Sequence, residues 1–396
     1  MVWADRITPK VAAGIFYGSI SSNNMNMTTD YQPFSARQTF ANVKTLSDPY
    51  GSMAGGSPFP ISYVPGSPKF ALLPADVSTL AQNFHFPYTY QLNLSVQRQL
   101  RSDLSASASY VGSLAHHLPF TADKNYPVWN STATTTNLPT RRPNLPGTLG
   151  IIYYEDGIIN SDYHGLQTSL RKRMSHGLSL QTFYTFAKSM EGAQTQNNQP
   201  TGGAEDFRNL ALERGRTNSD RRQVFSLSAV WQINYFKGAQ PAIRTILNGW
   251  SLTIIGTAKS GTPLTCTTGQ DNNVDGNSTD RCDLVGNPTL DPNRARALAT
   301  TAWFNTAAFK APVAGADGNS SRNLFDAPGA KLLDASLFRQ FRLHESMRLE
   351  FRAEVTNALN LVNLSGPTVN LNSASFGQIT SAAAMRQAQL GLRLAW

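Results

Sequence analysis

From Gln387 to the final Trp396 the chain alternates without interruption. Ala388, Leu390, Leu392, Leu394 and Trp396 share one parity, and Gln387, Gln389, Gly391, Arg393 and Ala395 take the other. Such a period of two predicts a strand with one apolar and one polar face. The pattern recurs: Met347, Leu349, Phe351, Ala353 and Val355 oppose Arg348, Glu350, Arg352 and Glu354. Tyr88, Tyr90, Leu92, Leu94 and Val96 oppose Thr89, Gln91, Asn93 and Ser95, and Leu104, Ala106, Ala108 and Tyr110 oppose three serines. Further stripes are Leu178 to Phe186, Phe225 to Ile233 and Trp250 to Ala258, with weaker strands near 11–17, 163–172 and 331–341. The total is about ten strands, each near the ~10-residue length that crosses a bilayer when tilted. Helical periodicity is nearly absent, and "NLALERGR" is the one short candidate.

The connections run roughly 70, 3, 50, 5, 35, 15, 70, 5 and 30 residues, alternating long and short as in an up-and-down outer-membrane barrel. A soluble sandwich has no reason to alternate, because both its ends face the same solvent. The expected fold is therefore all-β: a transmembrane antiparallel up-and-down barrel with long extracellular loops and short periplasmic turns. With the long loops outside, Tyr235, Trp250, Phe341 and Trp396 fall near the lower rim, and Tyr17, Tyr88, Tyr90, Tyr184 and Phe186 near the upper, as two aromatic girdles would. Arg348, Glu350, Arg352, Glu354 and Arg393 face the lumen, either as a substrate path or as a ladder of solvated ion pairs.

Composition agrees. Of the 396 residues, 40% are hydrophobic and only 15% charged, against roughly 25% charged in soluble domains. The mean hydropathy is −0.30, and no apolar run is long enough for a membrane helix. The net charge of +9 comes from scattered basic residues such as Arg171-Lys172-Arg173 and Arg221-Arg222, which no nucleic-acid module collects. No secretion leader is read at Met1, so such a signal is expected to have been removed or to lie upstream.

Cys266 and Cys282 share one polar loop, which suits a local disulfide in an oxidising compartment. That loop, "CTTGQDNNVDGNSTDRC", holds Asp271, Asn273 and Asp275 followed by Gly276, the first half of a calcium loop. The closing Glu is replaced by Cys282, with Asp280 two residues before it. A structural calcium and a plain polar loop both remain open, and no other cofactor is expected. His116-His117 lacks neighbouring ligands at metal spacing. Asp162 and His164 share a strand end, but no hydrolase motif accompanies them, and no enzyme is expected.

The ending "QLGLRLAW" resembles the C-terminal signal by which bacterial outer-membrane proteins engage the barrel assembly machinery; Gln389, Gly391, Leu394 and Trp396 carry the likeness. The segments "YHGLQTSLRKRMSHGLSLQTFYTFAKSM", "NGWSLTIIGTAKSGTPLT", "WFNTAAF", "LFRQFRLHESMRLEFRAEVTNALN" and "FGQITSAAAMRQAQLGLRLAW" resemble the C-terminal half of TonB-dependent outer-membrane transporters of the Oar-like, acidobacterial type. The resemblance implies a Gram-negative outer-membrane location and a 22-stranded barrel with an N-terminal plug. It also implies TonB-energised uptake of a metal chelate, cobalamin, oligosaccharide or peptide. Residues 1–396 would then be the C-terminal portion of the barrel domain, without signal peptide, plug or TonB-contact segment. TonB would be engaged only through the missing N-terminal part. An edge strand bare in hydrocarbon is not tolerated, so the first and last strands are expected to pair beyond this segment, or with each other in a narrow ten-stranded barrel. The expected partners are outer-membrane lipid, the assembly machinery and an unknown imported ligand, with no nucleic acid. The competing reading is a structural or adhesive barrel that binds partners through its loops without transport.

Overall fold

A computed structural model describes the chain except for residues 1–6, 21, 36–44, 52–55, 58, 61–63, 67–68, 71, 194–203, 237, 239, 278–279, 292, 296 and 345–346. The start of the chain, where a leader was sought, falls largely outside the described residues, as does the turn 345–346. Ten long strands form one antiparallel sheet in strict sequence order: β1 (Ile7–Tyr17), β2 (Tyr88–Arg101), β3 (Leu104–Asp123), β4 (Leu149–Ser175), β5 (Leu178–Glu191), β6 (Gln223–Ile233), β7 (Trp250–Lys259), β8 (Ala330–His344), β9 (Met347–Thr356) and β10 (Gln387–Ala395).

The register carries a single apolar face across the whole sheet. From Ala106 the paired residues run Leu170, Thr182, Leu227, Gly256 and Leu333. From Leu180 they run Ala229, Ile254, Ala335, Val355 and Ala388. A one-residue slip at any pair would turn every following apolar side chain to the other face, so the shared parity of the stripes fixes the register. These side chains have no second layer over them: Leu390 is 74% exposed, Leu392 72% and Val11 73%. That face is the lipid belt, and the opposite face, with pairs such as Ser107 Oγ–Ser169 Oγ at 2.7 Å, is the polar one.

The long connections, 18–87, 124–148, 192–222, 260–329 and 357–386, all leave one end of the sheet, and the short ones leave the other. The second long connection is shorter than expected because β3 and β4 run on for 20 and 27 residues. Beyond the belt, a short strand, Ala75–Leu80, adds in parallel to the start of β4. Helix is also more frequent than expected. "NLALERGR" yields only a 3-10 turn, Leu210–Glu213, whereas Ser22–Asp30, Pro241–Leu247 and Leu298–Thr301 are helical. Pro241 at the first helical position starts the second of these.

That helix meets a residue the alternation does not anticipate. Arg339 stands on the lipid-facing side of β8, paired with Trp250 and Phe351, yet is only 5% exposed. Its guanidinium lies 4.2 Å from the Phe341 ring and 5.2 Å from that of Trp250, and it donates to the carbonyls of Ile246 and Thr245 at the end of the helix. The aromatic rings cover the cation, and the helix's last carbonyls satisfy part of its donor set.

The ten strands do not close on one another. Among the described residues β1 pairs only with β2, and β10 only with β9.

Ile254 and Ile255, adjacent near the middle of β7, face lipid and lumen respectively. Ile254→Arg is expected to cost about 2–4 kcal/mol, and Ile255→Arg to stay within about 0.5 kcal/mol. Urea unfolding of the whole protein from phosphocholine vesicles measures both; equal costs would contradict the facing assigned here.

Candidate functional site

A sheet with lipid on one side and lumen on the other has nowhere to put an interior. Apart from a few positions such as Arg339 and Ala187, the buried side chains lie where the outer loops meet. Cys266, Cys282, Phe304, Ala308 and Phe309 form one cluster, with Phe325, Val369 and Phe376 packed against it. Phe120, Ala122, Ile159, Ala193 and Ala204 form another at the tops of β3 and β4. Cys266 and Cys282 are joined, with Cα atoms 5.5 Å apart, and both are buried. The bond closes the base of the loop that holds Asp271 to Asp280.

Polar groups tie this platform together. Arg281, next to Cys282, reaches Glu205 at 2.5 Å and Glu213 at 3.0 Å, and all three are buried. Glu205 Oε1 also accepts the backbone N–H groups of Arg281 and Gly318, each at 2.8 Å. Arg322 donates to the Glu213 carbonyl at 3.0 Å and pairs with Glu191 at 2.6 Å. Burial raises the Glu205 carboxyl, outweighing the nearby Arg281 guanidinium. Removing one partner of such a network leaves a buried charge uncompensated, which costs far more than the intact pair gains.

The stretch from Asp271 to Asn277 folds around its own side chains. Asp271 Oδ1 accepts from Asp275 N at 2.9 Å and its Oδ2 from Gly276 N at 2.8 Å. Gly276 has φ +98°, a conformation that favours glycine. Asn273 Oδ1 also accepts from Asp275 N, at 3.1 Å. Asp275 Oδ1 accepts from Asn277 N at 2.6 Å, and Oδ2 from the Tyr126 hydroxyl at 2.6 Å. Asn273 Nδ2 donates to Asp317 at 2.6 Å. Asp271, Asp275 and Asp280 each offer an oxygen within 4.8 Å of the other two. Burial, with Asp275, Glu205 and Asp271 nearby, pushes the Asp280 carboxyl up to about 7. Burial likewise raises Asp275 and Asp317, and burial beside Asp275 raises the Tyr126 phenol.

The remaining residues singled out from sequence are dispersed. Gln389 and Gly391 of β10 stand opposite Glu354 and Arg352, and Leu394 opposite Leu349; Trp396 follows the strand end. Arg348, Glu350, Arg352, Glu354 and Arg393 share the polar face, where Glu350 pairs in register with Arg393 and Arg352 lies 3.7 Å from Glu354, both well exposed. Tyr17, Tyr88 and Tyr90 pack in sequence at one end of the sheet, the first pair tilted and the second edge-to-face, with centroids 5.9 and 5.4 Å apart. Tyr184 and Phe186 lie on the same apolar face of β5. Tyr235, which accepts from Trp231 and donates to the His176 carbonyl, sits at the short-turn end with the Trp250–Phe341 pair. Asp162 and His164 do not meet as a catalytic pair: Arg214 holds the first at 2.5 Å and the Tyr110 hydroxyl the second at 2.6 Å. His116 contacts Asn160, and His117 the Gly157 carbonyl. Glu205, Glu213, Arg281, Arg322 and Tyr126 had no sequence signal, since their partners come from separate loops.

The sequence profile of the outer membrane beta barrel domain matches residues 4–389. The chain belongs to that family, and its place is the bacterial outer membrane. No curated protein sequence matches it. Among solved structures it is similar to the outer membrane transporter YddB from Escherichia coli, at 12% identity over 81% of this chain and 34% of that one, with TM-score 0.42. It is also similar to the closed form of the ferric-catecholate import receptor Fiu from E. coli K12, at 10% identity over 98% and 32%, TM-score 0.39. A third is the ferripyoverdine receptor of Pseudomonas aeruginosa, at 10% over 79% and 28%, TM-score 0.38. The chain spans about a third of the length of these structures or less.

Arg281→Met is expected to destabilise the platform by about 3–5 kcal/mol while leaving the barrel strands in place. Limited trypsin digestion should then open the 192–222 and 260–329 loops, with the strand signal in circular dichroism retained. Unchanged resistance to trypsin would show that the Glu205–Arg281–Glu213 cluster does not hold the loops.

Proposed function

We propose that residues 1–396 are the C-terminal barrel portion of a TonB-dependent, Oar-like outer-membrane transporter that takes up a scarce or bulky ligand such as a metal chelate, cobalamin, oligosaccharide or peptide. The observation that carries this reading is the ten-stranded sheet with lipid on one face and both edges open. Hydrocarbon does not tolerate a row of unpaired N–H and C=O groups, so β1 and β10 are completed by further strands. The resemblance implies about 22 strands, and barrels of that size carry a plug, whereas barrels of about 16–18 strands leave an aqueous channel. The shared wording of the strand and turn segments with that transporter group supports the same conclusion.

In this reading the outer platform meets the ligand first, and the polar sheet face, including Arg348, Glu350, Arg352, Glu354 and Arg393, lines the passage. TonB acts through a plug-bearing N-terminal part. The assembly machinery engages β10 by its free edge, with Gln389, Gly391, Leu394 and Trp396 as the signal. No step of the transport requires covalent chemistry by this chain.

The test is the size of the native product. An antibody raised against residues 266–282 and used on purified outer membranes is expected to detect a band far above 43.2 kDa. A band at 43.2 kDa in that fraction would remove active transport and leave the structural or adhesive barrel.

A further inference from the structure

We infer that the outer loop 271–280 is a calcium site, formed by Asp271, Asn273, Asp275 and Asp280, that locks the 260–329 loop onto the 124–148 loop. Three independent features point to it. First, three carboxylates converge to within 4.8 Å of one another, and among the described residues no Lys, Arg or His forms a salt bridge with any of them. The neighbouring cation, Arg281, is committed to Glu205 and Glu213. Second, Asp280 is fully buried, and while its Oδ2 accepts from Asn272 N at 2.6 Å, its Oδ1 has no hydrogen-bond partner. An ionised oxygen with no partner, buried beside two other carboxylates, is strongly unfavourable, and it is relieved by a proton or by a cation that joins all three. Third, the segment has the spacing that brings oxygens from alternate residues to one point, with Gly276 making the turn at φ +98°. Asp280 supplies the acidic group that the sequence spacing alone placed two residues too early for a calcium loop.

The donor chemistry selects the ion. The site offers carboxylate and amide oxygens only: both cysteines are bonded to each other, and no histidine belongs to the group. Hard oxygen donors on an irregular loop suit Ca²⁺, which accepts six to eight ligands in flexible geometry, better than Mg²⁺ or a soft transition metal. The consequence reaches beyond the loop. Tyr126, from the 124–148 connection, donates to Asp275 at 2.6 Å, and Arg141 of the same connection donates to the Val274 carbonyl. Holding Asp275 with an ion therefore holds both connections. This inference is independent of the transport reading, since a packed outer platform serves an adhesive barrel equally.

The experiment uses the whole protein in detergent, stripped with chelator and then dialysed against about 1 mM CaCl₂, a concentration that fills weak extracellular sites. Atomic absorption is expected to count one calcium per chain attributable to this loop, lost or bound at least about tenfold more weakly in Asp280→Asn. Ca²⁺, and not Mg²⁺, is expected to slow trypsin cleavage within 260–329. If Asp280→Asn leaves the loop open to trypsin even with calcium, Asp271→Asn, at a less buried position, provides the second variant. No bound calcium in the wild type, or wild-type calcium affinity in both variants, would overturn the site.

Discussion

The ten long strands of this protein answer to one constraint: a backbone N–H or C=O in hydrocarbon must have a partner, because no water is there to supply one. The strict neighbour-to-neighbour order of the ten strands is the simplest solution, with each strand satisfied by the two beside it in sequence. The same constraint makes the register rigid. Once Leu180 faces lipid, its paired residues Ala229, Ile254, Ala335, Val355 and Ala388 must face it too. It also gives the open edges of β1 and β10 their meaning, since the requirement that orders the interior of the sheet cannot lapse at its margins.

Outside the membrane a different rule governs. The loops contain the buried side chains, and there polar groups must find partners among themselves. Glu205 illustrates the economy: one carboxylate accepts two backbone N–H groups and lies in an ion pair with an arginine, so that a single side chain from 192–222 fixes the neck of the 260–329 loop. Asp271, Asp275 and Asp280 are the counter-case, a place where the protein's own donors do not suffice. The disulfide, the Arg281 cluster and the acidic loop sit within one stretch of chain, so the covalent and ionic ties reinforce the same neck, to which the calcium we propose would add a third. At the opposite rim, Arg339 shows that even the lipid-facing side admits a charge when rings and carbonyls enclose it.

Much of the sheet was legible because alternation is a local property: Met347 to Val355 declares its two faces without reference to any other segment. The strand ends were less so. β3 and β4 continue beyond the belt through Phe120, Ala122, Ile151 and Ile159, where Thr121 is buried beside Ala122 and Ile158 is exposed beside Ile159, so apolar character no longer marks one face. The parallel addition of Ala75–Leu80 to β4 is a long-range pairing with no pattern of its own. The platform was nearly invisible, since Arg281 lies 76 residues from Glu205 and 68 from Glu213, and nothing in a run of sequence links them. Asp271, Asn273 and Asp275 stood out by spacing, whereas the role of Asp280 depends on its burial, which only the folded chain reveals.

The length of β4 has a mechanical consequence. Its 27 residues extend about 90 Å at ~3.3 Å per residue, or roughly 60 Å of height at a 45° tilt, of which an apolar belt takes about 25 Å. Its partner β3, with 20 residues, reaches about 47 Å on the same scale, so the paired β3–β4 beam stands about 20 Å above the lipid. A beam clamped at its foot magnifies rotation: a tilt of about 5° at the rim moves its tip by roughly 2 Å, enough to break a hydrogen bond. The aim of the outer surface is set by how the strands stand in the bilayer, and a change in membrane thickness will be felt at the tip as a change in alignment.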